Sequence, residues 1–411
     1  MNSERAFSGL NVFYDSDNED YSDHSIMVQN GTTDYFVTVF STVLSSGDRG
    51  LSLKTVASNG LTPTDHYVTD DTIGSQKDGY LVVEPGSKLG YFYVVWTESA
   101  SGNWRTKIRK FQVSDIGFTP VTESVQLCGE NGDYVAPRLT LLSDGSSGQV
   151  QLLATWVSVA EAQIEMLGLT SSFDSGLVLE SNSYTQIFTP QNPLLDSYWS
   201  SGLNLAENHT EATNTVVDIA LSSNGSDIAY MAVKSDPAQI DLYAITMPGS
   251  GTISSNFIES VSHQSIDHFD MVCDTDNNQL AIVYVDHSSL SVIGMTVPIF
   301  GKVKTSAPRA TEQLNTYTFQ CVKPRIIVGG SRLVVTWETK DSCGYVGTYT
   351  HEFGAYGAER AINDGVTTTD LLSCAVTPGL SPKILTVCCA THIGDTPLTL
   401  HGILYDTKSL S

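Results

Sequence analysis

One pattern, written seven times, constrains this chain more than anything else in it. A short apolar strand runs into a tight polar turn, and a second, stronger apolar strand runs out. The copies read SIMVQ-NGTT-DYFVTVF from Ser25, GYLVVE-PGSKL-GYFYVVW from Gly79 and RLTLL-SDGSSG-QVQLLATW from Arg138. They continue as VVDIALS-SNGS-DIAYMAV from Val216, FDMVC-DTDNN-QLAIVY from Phe269, PRIIV-GGS-RLVVTW from Pro324 and LSCAVT-PGLSP-KILTVCC from Leu372. Six of the turns carry a glycine: Gly31, Gly86, Gly145, Gly225, Gly330 and Gly379. The remaining turn has Asn277-Asn278, and asparagine is the next residue to tolerate a positive φ. Strand and turn alternating at a period of roughly 50 residues imply a radial or stacked β array.

A third strand follows each pair, as in LSLKTVA from Leu51, TKIRKFQV from Thr106 and LTLHGILYD from Leu398. A weaker fourth strand follows in most copies, for example ESVQLC from Glu123 and NFIESVS from Asn256. Four strands in seven units predict an all-β fold, a single seven-bladed β-propeller of four-stranded antiparallel blades. The repeats run nearly end to end, so residues 1–411 read as one domain. The last unit has three strands, while GLNVFY (residues 9–14) stands alone before the first unit. The expectation is that this N-terminal strand completes the last blade and removes two free sheet edges. The third repeat carries a long inserted loop over 185–215, and loops of that length in compact domains are usually functional or disordered.

Charge excludes some functions. With 45 acidic and 21 basic residues the net charge is −24, which disfavours nucleic acid and anionic membrane surfaces as partners. No segment approaches the 18 apolar residues of a membrane span, so no membrane insertion is expected. The N-terminal segment lacks the basic and apolar regions of a signal peptide. The seven cysteines include no CxxC pair and several lie inside apolar strands, where a thiol acts as a small hydrophobe. Pairing of Cys321 with Cys343, or of Cys374 with Cys388 or Cys389, stays open for an oxidising compartment. The sequons at Asn30, Asn208 and Asn224 read as turn chemistry or chance.

In a propeller, loops entering the inner strands share a face with loops joining second to third strands. That face gathers carboxylates, histidines and aromatics. The candidate ligand-binding residues on it are Trp104, Tyr134, Tyr198, Trp199, Asp267, His268 and Asp286. Trp96-Thr-Glu98, Tyr284-Val-Asp286 and Trp337-Glu338 each set an acid just past an aromatic strand end. Such acids either solvate a rim or ring a channel mouth. Asp15, Asp17 and Asp20 supply hard oxygens at spacings that suit Ca²⁺, the one cofactor the residues point to. Asp274-Thr-Asp276-Asn277 resembles a calcium loop less well, because it falls where other units place a hairpin turn. His263 and His268 offer two zinc-type ligands without a visible third. Only nine arginines exist, and Arg138 and Arg325 occupy the same position in two inner strands, which suggests a role tied to the repeat. No GxSxG, P-loop, HExxH or Asp-box repeat is present.

Arg325–Trp337 and the stretch from Pro137 to Trp156 resemble a degenerate class of bacterial and viral propeller repeats. That resemblance implies fold rather than chemistry, and binding or surface roles more often than enzymatic ones. The expected function is a non-enzymatic binding or structural module with a protein or glycan ligand on the loop-rich face. A place in a larger assembly, such as a virion or particle surface, fits that expectation. The alternative is a carbohydrate-active propeller, either lectin or glycoside hydrolase.

Overall fold

A computed structural model of the chain describes residues 10–15, 21–43, 48–57, 64–68, 75–84, 89–100, 102–128, 132–143, 149–158, 163–172, 177–178, 186–188, 219–236, 238–246, 253–263, 265–286, 288–315, 321–329, 332–339, 343–349, 353, 360–362, 366–376, 383–392 and 399–406. The regular elements among the described residues are all β-strands. They form seven antiparallel sheets, three of which carry a fifth strand. Numbered along the chain, sheets one to seven open on the inner strands Tyr21–Asn30, Gln76–Val83, Tyr134–Ser143, Ile219–Ser223, Ile266–Asp274, Cys321–Gly329 and Val366–Val376. Their second strands are Thr33–Val43, Tyr91–Ala100, Gln149–Ser158, Ala229–Asp236, Gln279–Asp286, Arg332–Thr339 and Lys383–His392. Third strands follow at Arg49–Ala57, Asn103–Ser114, Gln163–Ser172, Gln239–Thr246, Ser291–Phe300, Cys343–Tyr349 and Thr399–Asp406.

The second strands are continuous apolar runs because both of their faces are buried. Side chains alternate across a strand, and here each alternate set meets a different neighbouring sheet. Phe92, Val94 and Trp96 pack on sheet one, while Tyr93 and Val95 pack on sheet three. Tyr230 and Ala232 face sheet five, and Ala229, Met231 and Val233 face sheet three. Ala281, Val283 and Val285 meet sheet six. Successive clusters therefore fill the spaces between sheets one and two, two and three, three and four, four and five, and five and six. Inner strands touch in the same succession, and that of sheet seven touches those of sheets six and one.

The hairpins inside the repeats use the residues the sequence supplies for them. Gly31 and Gly225 have φ of 61° and 76°, and Asn278 does the same work at 50°. Gly90 serves a close approach: with φ at 78° its amide donates to Gln29 O at 3.0 Å, and a Cβ there would lie 2.5 Å from Val113 O. Two of the sequon asparagines are engaged. Asn30 Nδ2 donates to Val113 O at 2.7 Å, and Asn224 Oδ1 accepts the amides of Ser226, Asp227 and Ile228. Asn208 lies outside the described residues.

The first described strand, Leu10–Asp15, pairs antiparallel with Thr399–Asp406 and so joins sheet seven as its outermost strand. In the inserted segment of the third repeat, Gln186–Phe188 adds a short strand beside Ile164–Met166 of sheet three, and 189–218 lie outside the described residues. Cys128 and Cys273 are free thiols, and Cys321 is buried. Burial, reinforced by the Asp274 charge, pushes the Cys273 thiol up to about 12, so it stays protonated and inert as a small hydrophobe.

Candidate functional site

Most acids at the strand ends are structural. Glu98 is buried beneath Gln76 and Lys107, accepting from Gln76 Nε2 at 3.0 Å and from Trp96 Nε1 at 3.3 Å, and it ion-pairs with Lys107. Gln76 Oε1 in turn accepts the Leu51 amide of sheet one at 2.9 Å. Glu165 does for Trp156 what Glu98 does for Trp96, at 2.9 Å. An indole N–H in a dry interface needs an acceptor, and these carboxylates supply it. Asp286 holds a turn: Ser289 Oγ donates at 2.6 Å, Ser288 Oγ at 2.7 Å and the Ser288 amide at 3.0 Å. Burial pushes the Asp286 carboxyl up, but these donors and the nearby His263 outweigh it and leave it below the usual carboxylate range. His263 Nδ1 stands 3.4 Å from Asp286 Oδ1, with its ring tilted against Tyr284.

The other sequence candidates fall in several places. Trp104 is partly buried, with Lys77 Nζ 4.2 Å from its ring centroid and its amide donating to Asp133 Oδ1 at 2.9 Å. Tyr134 is buried in the core between sheets two and three. Asp267 and His268 sit on the inner strand of sheet five. Asp15 ends the strand paired with sheet seven, opposite Leu400. Asp17, Asp20, Tyr198 and Trp199 lie outside the described residues. Asp274 is fully buried and accepts from Asn277 Nδ2 and Gln279 Nε2, so its oxygens serve the hairpin. Among the described residues no three His, Cys, Asp or Glu side chains gather as a metal-binding group.

A different constellation stands out. The inner strands of sheets one, two, three, five and six each carry one extra residue near their start. Tyr80 and Lys77 face Val95 and Thr97, so three residues span what two span on the partner strand, and sheets three, five and six repeat this offset. Asp78, Ala136 and Lys323 take up the bulge with φ of 56°, 49° and 47°. Such bulges re-aim the next side chain. The residues just past them are His24, Tyr80, Arg138, Phe269 and Arg325.

Three of these meet. His24 stacks on Tyr80 with ring centroids 3.9 Å apart, and Arg138 Cζ lies 5.3 Å from the Tyr80 centroid. Arg138 is steered by two carbonyls, with Nε donating to Ile219 O of sheet four and Nη1 to Pro137 O, each at 3.0 Å. The Leu81 amide donates to His24 Nδ1 at 3.3 Å. Burial, then the charges of Arg325 and Arg138, hold the His24 imidazole down at about 3. A neutral imidazole whose Nδ1 accepts carries its proton on Nε2, where it donates. The bulges were not visible in the sequence; the shared position of Arg138 and Arg325 suggested only a role tied to the repeat.

No family model and no curated protein matches the sequence. Solved structures that it resembles include the fungal lectin of Aleuria aurantia, described as a six-bladed β-propeller with a novel fucose recognition mode. Identity is 8%, coverage 78% of this chain and 92% of that one, and the TM-score 0.43. Trypanosoma rangeli sialidase in complex with sialic acid aligns at 8% identity over 94% of this chain and 54% of its own, with a TM-score of 0.45. A point mutant of NanB sialidase from Streptococcus pneumoniae aligns at 12% identity over 99% and 71%, also at 0.45. This chain thus spans about half the length of the trypanosome sialidase. Likeness at these scores carries no activity or ligand from those proteins to this one.

Proposed function

We propose that the chain is one closed, seven-bladed β-propeller acting as a non-enzymatic binding module for a protein or glycan ligand. Closure is supported by the succession of inner-strand contacts, in which sheet seven meets sheet one, and by the pairing of Leu10–Asp15 with the last sheet. The binding role rests on one observation: His24, Tyr80 and Arg138, from three different sheets, come together on the inner strands. Rigid strands with re-aimed side chains make a preorganised site. The strand-end acids Glu98, Glu165 and Asp286 are committed to indoles, hydroxyls and amides of the frame, which suits a binding module better than general acid–base work.

The test is a glycan array and a protein-capture screen with the full chain, each run with Ca²⁺ and with EDTA, alongside a panel of nitrophenyl glycosides. A discrete ligand without glycoside turnover is the expected outcome. Loss of the hit in EDTA would bring Asp15, Asp17 and Asp20 into the site as calcium ligands. Steady turnover of any glycoside overturns the non-enzymatic reading in favour of a hydrolase.

A further inference from the structure

We propose that the hairpin tip of sheet five, Phe300 to Val303, together with the cations beside it, is a docking surface for an acidic peptide segment that carries apolar side chains. It is a second surface, independent of the cluster around His24. Phe300 closes the third strand of sheet five and pairs with Val303 across a two-residue turn. Directly opposed residues of an antiparallel pair share one side, and the neighbouring pair, Ile299 and Lys304, takes the other. Ile299 is buried against sheet four, and Lys304 reaches Glu259 there. Phe300 and Val303 face away from sheet four and are 78% and 57% exposed. Phe257, also exposed, stands two residues before Glu259 on the outer strand of sheet four. Large apolar side chains gathered on a protein surface mark an interaction site.

The tip is held from behind. Tyr230 Oη donates to Gly301 O at 2.9 Å, Lys302 Nζ to Thr246 Oγ1 at 3.1 Å, and the Thr305 amide to Pro298 O at 3.0 Å. Little order is therefore lost when a partner docks. Charge selects that partner. Lys304 Nζ lies 2.6 Å from the Glu259 carboxylate and Arg309 Nη1 3.8 Å from it, while Lys302 meets a hydroxyl. Three cations thus share one acid. Residues 302–340 hold seven of the chain's 21 basic residues against two acids. An anionic bilayer or a second copy of the chain meets the whole charge of −24 and is repelled. A peptide segment feels charges within about 8 Å, and those at this tip leave a positive excess. The matching hairpin of sheet two sets its apolar tip beside an acid instead. There Ile116 is 90% exposed next to Asp115, which accepts from Tyr35 Oη as Gly301 O accepts from Tyr230.

The experiment is fluorescence anisotropy of short labelled peptides titrated with the full chain: one of Glu and Leu, one of Lys and Leu, one of Glu and Ser. The Glu/Leu peptide should bind about 10-fold or more tightly than the other two, and added salt should weaken it. Phe300→Ser and Lys302→Glu, both at exposed positions of a turn, should each lose about 10-fold, whereas Ile116→Ser should lose nothing. Equal binding of the three peptides, or an unchanged affinity in Phe300→Ser, overturns the docking surface. Flotation with phosphatidylserine vesicles and sedimentation of the free chain run alongside. Vesicle binding or self-association that Phe300→Ser abolishes, without peptide binding, overturns the peptide and gives the tip to a bilayer or to a second copy. Each of these outcomes leaves the reading of the His24 cluster as it stands, because the variants and the cluster lie on different strands.

Discussion

Trp156 and Glu165 show at the scale of one residue why the strand-end acids belong to the frame. Both are buried, and the indole N–H has the carboxylate at 2.9 Å. Removing that acceptor strands a buried donor, so Glu165→Ala should cost about 1–3 kcal/mol in urea unfolding, while Glu165→Gln, which keeps a carbonyl oxygen, should cost less. Equal losses from the two would show that the bond contributes nothing. His24 makes a separate prediction about pH. Its folded value near 3 lies below the ordinary 6.5, so between those limits the unfolded chain binds the extra proton. Its contribution to stability is therefore complete above about 6.5 and declines as pH falls toward 3. His24→Gln should flatten this part of the profile, read as the difference in urea midpoint between pH 7 and pH 4.5. Sequence alone could mark Glu98, Asp286 and Trp104 as chemically able. It could not show that Gln76, Ser289 and Lys77 would reach them first, because those contacts join strands far apart in the chain or depend on a turn's exact path.

Single strands were the most legible elements, for a physical reason. A strand buried on both faces must be apolar throughout, and YFYVVW or QLAIVY says so without an alignment. Turns were legible because a positive φ narrows the choice to Gly31, Gly225 or Asn278. Bulges were not, since one added residue leaves an apolar strand apolar and only moves the register. The pairing of Leu10–Asp15 with Thr399–Asp406 was foreseen from a missing strand, and it carries a prediction at this scale. Deleting residues 1–16 exposes the edge of sheet seven, whose amides at Thr399–Asp406 should lose hydrogen-exchange protection. The melting temperature should fall by about 5 °C or more, with concentration-dependent association through the open edge. Unchanged protection at those amides would mean that the pairing does not persist in solution.

At the scale of the whole molecule, the seven sheets followed from the repeat, whereas the loops between them follow no rule that one sequence can reveal. Loops entering the inner strands differ from unit to unit in length and composition, so nothing in the pattern says what they hold. The proposed ring has a consequence that an open stack of the same sheets lacks. In an open stack each unit touches only its neighbours, the end units have one neighbour each, and unfolding can begin there and spread. In a ring every sheet has two neighbours, and losing one exposes the buried faces of two others. Trp96, Trp156 and Trp337 are fully buried in sheets two, three and six and so report on two neighbouring sheets and one remote from them. Urea unfolding followed by tryptophan fluorescence should coincide with that followed by far-UV circular dichroism, as one transition. Deleting residues 1–16 should split or broaden it, because sheet seven then becomes a place to start. Two resolved transitions in the intact chain would instead mean that the seven sheets behave as an open array, and the closed propeller would have to be given up.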